Sequence, residues 1–400
     1  MTAATLTSAA SFAEPTDRVD LDQRTDSAVT AQDAQSAGGV EIATSSALAQ
    51  ANSATGQVTN WTGVYGSQVL TGSADAVSSI SADSIWSYAI SNATAAGNGL
   101  TVGAEANVDL DLEQSAAAGS RVSALSALRV TDYAAHTVQG ASASANAVQV
   151  TGYGSHELAL IQRADGEVSA GAALIAPGAE VETFAQGAQA AGNSLTAGGW
   201  EGNPVATVDQ SQTGTVEAFT GVDVATADYG GISAASAVGN NLTIANDYGY
   251  AHAQGAQTNS GPVRATANLN VGDFGGGLIT GSASAMGNAS LVSNIGADAY
   301  TGLDQTNSGP VLAEVVFNGG GSETGVGAGA ALSASAIGNA QSGYICSECP
   351  VSMTANFNQT NSGPVGATVF STHDGQIGAL TSSATAVGNA ATFASRAPGG

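Results

Sequence analysis

Gln257-Thr258-Asn259-Ser260-Gly261-Pro262-Val263 returns unchanged at Gln305–Val311 and again at Gln359–Val365. A recurring heptapeptide at such spacing marks an internal repeat, and repeats on this scale build stacked architectures. Between the copies runs a second motif, small-Ala-small-Ala-x-Gly-Asn, at Ser282–Asn288, Ser333–Asn339 and Ser383–Asn389. Traced toward the N-terminus it weakens but persists as Ala234–Asn240, Ala188–Asn193, Ala141–Asn146, Asn92–Asn98 and Ala47–Asn52.

The repeat holds its phase. Asn anchors fall at 52, 98, 146, 193, 240, 288, 339 and 389, and a Gln from the first motif survives at 23, 68, 114, 162, 210, 257, 305 and 359. These positions predict eight repeats of about 48 residues over 23–396, forming a single domain. Residues 1–22 are then a leader and 397–400 a short tail. A disordered chain has no physical reason to keep such a phase, whereas in stacked strands a one-residue slip turns every side chain to the opposite face. Insertions are therefore expected in turns, and the longest Asn-to-Gln interval, Asn339 to Gln359, carries Cys346 and Cys349.

Glycine decides between helix and strand. Gly-Asn, Asn-Ser-Gly-Pro and runs such as Gly275–Gly277 leave few uninterrupted windows long enough for packed helices. Between these breakers the pattern alternates: Val263, Ala265, Ala267, Leu269 and Val271 are apolar, and Arg264, Thr266, Asn268 and Asn270 are polar. The fold class expected is all-β, a parallel β-solenoid. A coil with three sides of about 16 residues would enclose more space than Ala and Gly can fill, so two smaller rungs per repeat are expected, giving a rod roughly 75 Å long.

The recurring amides have two readings. Gln257, Gln305 and Gln359 are expected to form a side-chain ladder or inward hydrogen bonds, while Asn259, Asn307 and Asn361 are read as turn formers. Asn240, Asn288, Asn339 and Asn389 complete the set of repeat anchors in the clearest copies.

Composition sets limits on function. The hydrophobic fraction is 43% and rests largely on Ala; there are 53 Gly, 8 Phe and no Lys. A net charge of −25, with only seven Arg, repels phosphate backbones and argues against nucleic-acid binding. No apolar stretch is long enough for a transmembrane helix. Met1–Ala13 ends in Ser11-Phe12-Ala13, which fits either the remnant of a signal peptide or an ordinary polar leader. A lone CxxC fits a redox motif, half a zinc site or a small disulfide; in an exported chain with no second pair, the Cys346–Cys349 disulfide is expected.

Chemistry is sparse. Val108-Asp109-Leu110-Asp111-Leu112-Glu113 puts three carboxylates on one strand face, most simply a solvated one. His373-Asp374, Asp273, Asp298 and Asp304 fall in or near expected turns. No metal, phosphate or nucleophile motif is present, so no catalytic, metal or cofactor site is assigned and no cofactor is expected. Trp61, Trp86 and Trp200 could offer a carbohydrate-stacking surface but are read as bulk that caps the coil. The repeat runs almost to Arg396 without a capping segment, which predicts either end-to-end stacking with another copy or a partner, or a chain end truncated by processing.

The QTNSGPV and SAxAxGN repeats look like those of a surface adhesin related in style to curlin subunits, and resemble more particularly the holdfast anchor protein D family of stalked bacteria. The likeness lies in composition, length and Gln/Asn-Gly repetition across the repeat region; the period near 48 departs from the shorter curlin repeat. It implies a secreted, cell-surface protein at the outer membrane that anchors an adhesive polysaccharide with a curlin-like anchor subunit and an exporting lipoprotein. The rival classes are a β-helical polysaccharide-degrading enzyme and a free filament or surface-layer protein.

Overall fold

The computed structural model describes residues 15–320, 329–346 and 351–396, and the regular structure among them is all β-strand. Each repeat lays down the same series of segments. In a clear copy, Ala251–Asn259 turns through Ser260-Gly261-Pro262 into Val263–Asp273; Leu278–Ile295 follows, and Ala299–Asn307 opens the next coil. In the N-terminal copies the second and third segments run on as single stretches, Ala28–Val58, Ser73–Ala104, Arg121–Tyr153 and Glu167–Trp200.

Every strand pairs in parallel with its own equivalent in the next repeat. Gln257 lies opposite Gln305, Val263 opposite Val311, and Asn288 opposite Asn339. The protein is a parallel β-solenoid. The alternating segment behaves as its pattern requires: Val263, Ala265, Ala267, Leu269 and Val271 all point inward and are at most 1% exposed.

One expectation is overturned. Because backbone partners are a whole repeat apart, each repeat makes one coil and not two rungs. The error lay in assuming an open cross-section. Leu278–Ile295 bends in its middle: inward positions alternate up to Ala285, Gly287 and Asn288 are both buried, and alternation resumes at Ser290 and Val292 in the opposite phase. The bend carries the chain back against the junction between the first and second strands, where Asn240 reaches the carbonyl of Thr258.

The coil is therefore pinched into two lobes, each narrow enough for small side chains to fill. One core runs between the second strand and the first half of the third, through Ala265, Leu269, Phe274, Ile279 and Ala283. The other runs between the first strand and the second half of the third, through Ala251, Ala253, Val292 and Leu303. Facing strands at about 10 Å need only an interleaved mixture of Ala, Val and Leu to reach ordinary packing density. Glycine at the bend has a steric reason: a Cβ on Gly287 would stand 2.6 Å from the Gly338 carbonyl oxygen and 2.7 Å from Asn307 Oδ1.

In the C-terminal coils insertions stay in the connections, whereas in the N-terminal coils the register shifts at a bulge within the long stretch, as between Arg129 and Tyr133. Paired residues are 48 apart at Gln257 and Gln305, 51 at Asn288 and Asn339, and 54 at Gln305 and Gln359. The added residues leave strand register intact, since Val311–Gly319 still pairs residue for residue with Val365–His373.

The single-coil architecture sets a length. Seven ladder steps separate Gln23 from Gln359, which at about 4.8 Å each gives a rod about 34 Å long. Small-angle scattering of the monomer is expected to return a maximum dimension set by that rod and its cross-section; an axial length near 75 Å would contradict it.

Candidate functional site

The pinch is built from primary amides. Asn52, Asn98, Asn146, Asn193, Asn240, Asn288, Asn339 and Asn389 form one column, each Nδ2 donating to the next Oδ1 at 2.7–2.8 Å. Gln23, Gln68, Gln114, Gln162, Gln210, Gln257, Gln305 and Gln359 form a second at the same spacing, but there each Nε2 donates backward to the preceding Oε1. The two columns run in opposite directions.

They are also stitched to each other's backbone. The other N–H of Asn240 goes to Thr258 O, beside Gln257, and that of Gln257 goes to Ala289 O, beside Asn288. Both amide protons and the oxygen are thereby used, which is what a side chain with no solvent exposure requires. Asn259, Asn307 and Asn361 do more than form turns. Asn259 Nδ2 donates to Asn307 Oδ1 at 2.6 Å and Asn307 Nδ2 to Asn361 Oδ1 at 2.7 Å, a third column absent from the N-terminal repeats, while Asn307 and Asn361 also bond the turn carbonyls of Gly309 and Gly363.

The remaining sequence candidates disperse over the surface. Val108, Leu110 and Leu112 are buried, leaving Asp109, Asp111 and Glu113 on the outer face; Asp109 accepts from Tyr65 Oη at 2.9 Å and Glu113 pairs with Arg163. Asp298 and Asp304 accept backbone N–H groups of Ser352 and Asn358 in the next coil. Cys346 ends a strand, and its expected partner Cys349 lies outside the described residues, as do the leader Met1–Ala13 and the tail 397–400.

The tryptophan expectation also changes. Trp86 and Trp200 do not cap an end: they sit mid-stack on the outer face, 60% and 44% exposed, packed on Tyr133 and Tyr248 of the following coils at 5.6 and 5.0 Å. Tyr88 with His136, and His252 with Tyr300, extend the same pattern, while Tyr250 packs on His252 of its own coil. In-register stacking sets outward aromatics of successive coils one above another, and sequence spacing alone did not reveal which of them would meet.

Near the Trp86–Tyr133 pair, Glu180 and Asp228 stand close enough that repulsion from Asp228 raises the Glu180 pKa, with Glu182 and Asp132 adding to it. Tyr133 Oη donates to Glu182 at 2.6 Å, and that bond pushes its phenol up to about 12. Among the described residues no cluster of His, Cys, Asp and Glu is arranged to hold a metal ion.

The Holdfast attachment protein D family matches the chain over residues 38–310. No curated protein and no solved structure matches it.

Two outcomes follow. Asn288→Ala strands the N–H of Asn240 and the Oδ1 of Asn339 and removes a donor from the Thr306 carbonyl; it is expected to lower stability by about 3 kcal/mol or more in chemical denaturation, against less than about 0.5 kcal/mol for Asn268→Ala on the outer face. Glu180 has a raised folded-state pKa, so its charge opposes folding at neutral pH and the penalty is relieved as pH falls through that pKa. Glu180→Gln is therefore expected to raise the melting temperature at pH 7, with the gain vanishing once both folded and unfolded carboxyls are protonated, below about pH 4.

Proposed function

The chain belongs to the Holdfast attachment protein D family, and on that premise we propose that it anchors an adhesive polysaccharide to the cell envelope by stacking with partner subunits. The family match carries this reading: attachment is an adhesive task at the cell surface. In the proposal residues 23–396 act as one repeat domain of eight coils, secreted and held at the outer membrane. A curlin-like anchor subunit and an exporting lipoprotein are its proposed partners, and the Asn and Gln columns are its structural anchors.

Stacking is supported by the columns themselves: an interior coil such as that of Asn288 is hydrogen-bonded through the same amide to the coil before it and the coil after it. Asn389 accepts from Asn339 and donates to the Gln359 carbonyl, leaving one N–H without a partner among the described residues. Strand Ala379–Arg396 pairs with Gly329–Cys346 on one side only. In the first coil, by contrast, Thr25 Oγ1 donates to Asn52 Oδ1 and closes that column.

A deletion strain is expected to secrete its adhesive normally and shed it from the cell; retention of the adhesive at parental levels would sink the proposal. Cleavage of the adhesive polysaccharide by purified protein would favour the enzyme reading instead.

A further inference from the structure

The residue that precedes each first strand forms a column along one corner of the solenoid: Trp61, Asn107, Ser155, Asn203 and Tyr250. Two bulky aromatics thus bracket three small polar residues, and the corner between them is recessed into a trough of about 500 Å³. It crosses four coil steps, about 19 Å along the axis.

The floor is chemically sorted. Asn107 Oδ1 accepts the N–H of Ser155 at 2.9 Å, and Asn203 Oδ1 accepts that of Tyr250 at 2.7 Å. With those oxygens committed, both amide nitrogens remain as donors with no partner among the described residues. One wall carries Asp109 and Glu157, paired across adjacent coils, as acceptors. His156 alternates with the outward Glu157 and is 1% exposed, so it backs the trough from the inside and presents no ring nitrogen to it.

Aromatic faces at the ends, with paired amide donors and carboxylate acceptors between them, suit rings whose C–H faces are apolar and whose edges are hydroxyls or amines. An anionic chain would meet two carboxylates on a molecule of net charge −25. We propose that this trough binds a segment of neutral or amine-bearing polysaccharide running along the solenoid axis, with Trp61 and Tyr250 stacking on sugar rings. The inference rests on the attachment reading and gives it a contact surface.

Calorimetric titration of the full chain with cellohexaose, a chitosan hexamer and hexagalacturonate tests it. Saturable binding is expected for at least one of the first two and none for the third. Trp61→Ala/Tyr250→Ala is expected to weaken that binding about tenfold or more with an unchanged melting curve, while Tyr229→Ala, an exposed aromatic away from the trough, leaves it intact. Absence of binding to both expected probes, preference for hexagalacturonate, or parental affinity in the folded double variant would overturn the proposal. In cells the two levels separate. Shedding by the deletion strain together with retention by the double variant rejects the trough alone, whereas retention by the deletion strain rejects the attachment reading.

Discussion

A buried primary amide has two protons to place and an oxygen to satisfy, and in this molecule each anchor amide does so only if the coils lie in register. Asn288 needs Asn240, Asn339 and the Thr306 carbonyl at once. A slip of one residue would bring Gly287 or Ala289 into the column and bury unpaired polar groups. Apolar contacts between small side chains discriminate poorly among registers, since one Ala packs much like the next. The amides supply that discrimination, and the two cores around them can then be thin.

Much of this was legible in the sequence because periodicity survives translation into structure. Phase predicted parallel stacking, and the alternation at Val263–Val271 predicted the buried face. The number of coils per repeat was not legible, for it depends on the contact between Asn240 and Thr258, segments that the chain folds together only after the bend at Gly239-Asn240. Composition implied that a wide coil could not be filled; it did not show that a coil can be pinched. Asn259 misled for a related reason. An Asn before Ser-Gly-Pro is an ordinary turn former, and only when the same turn repeats directly above can its amide also serve a column.

The surface was the least legible part. Single outward aromatics and carboxylates carry no pattern along the chain, because their neighbours are some 48 residues away. Folding converts those distant residues into adjacent ones, so Trp86 meets Tyr133 and Trp61 shares a trough with Tyr250. In a solenoid, a surface suited to an extended ligand arises from one position sampled once per coil. A reader of the sequence must compare repeats column by column to see it.

The opposed donation of the Asn and Gln columns bears on how such a rod can lengthen. A single row of aligned amides accumulates a dipole with every coil, as peptide units do along a helix, and its ends grow steadily more polar. Here each repeat adds one Asn and one Gln amide pointing toward opposite ends of the rod, so those increments oppose, while the short column of Asn259, Asn307 and Asn361 has no counterpart among the described residues. Duplication of a repeat that carries only the Asn and Gln columns extends the molecule without the dipole growing with each coil.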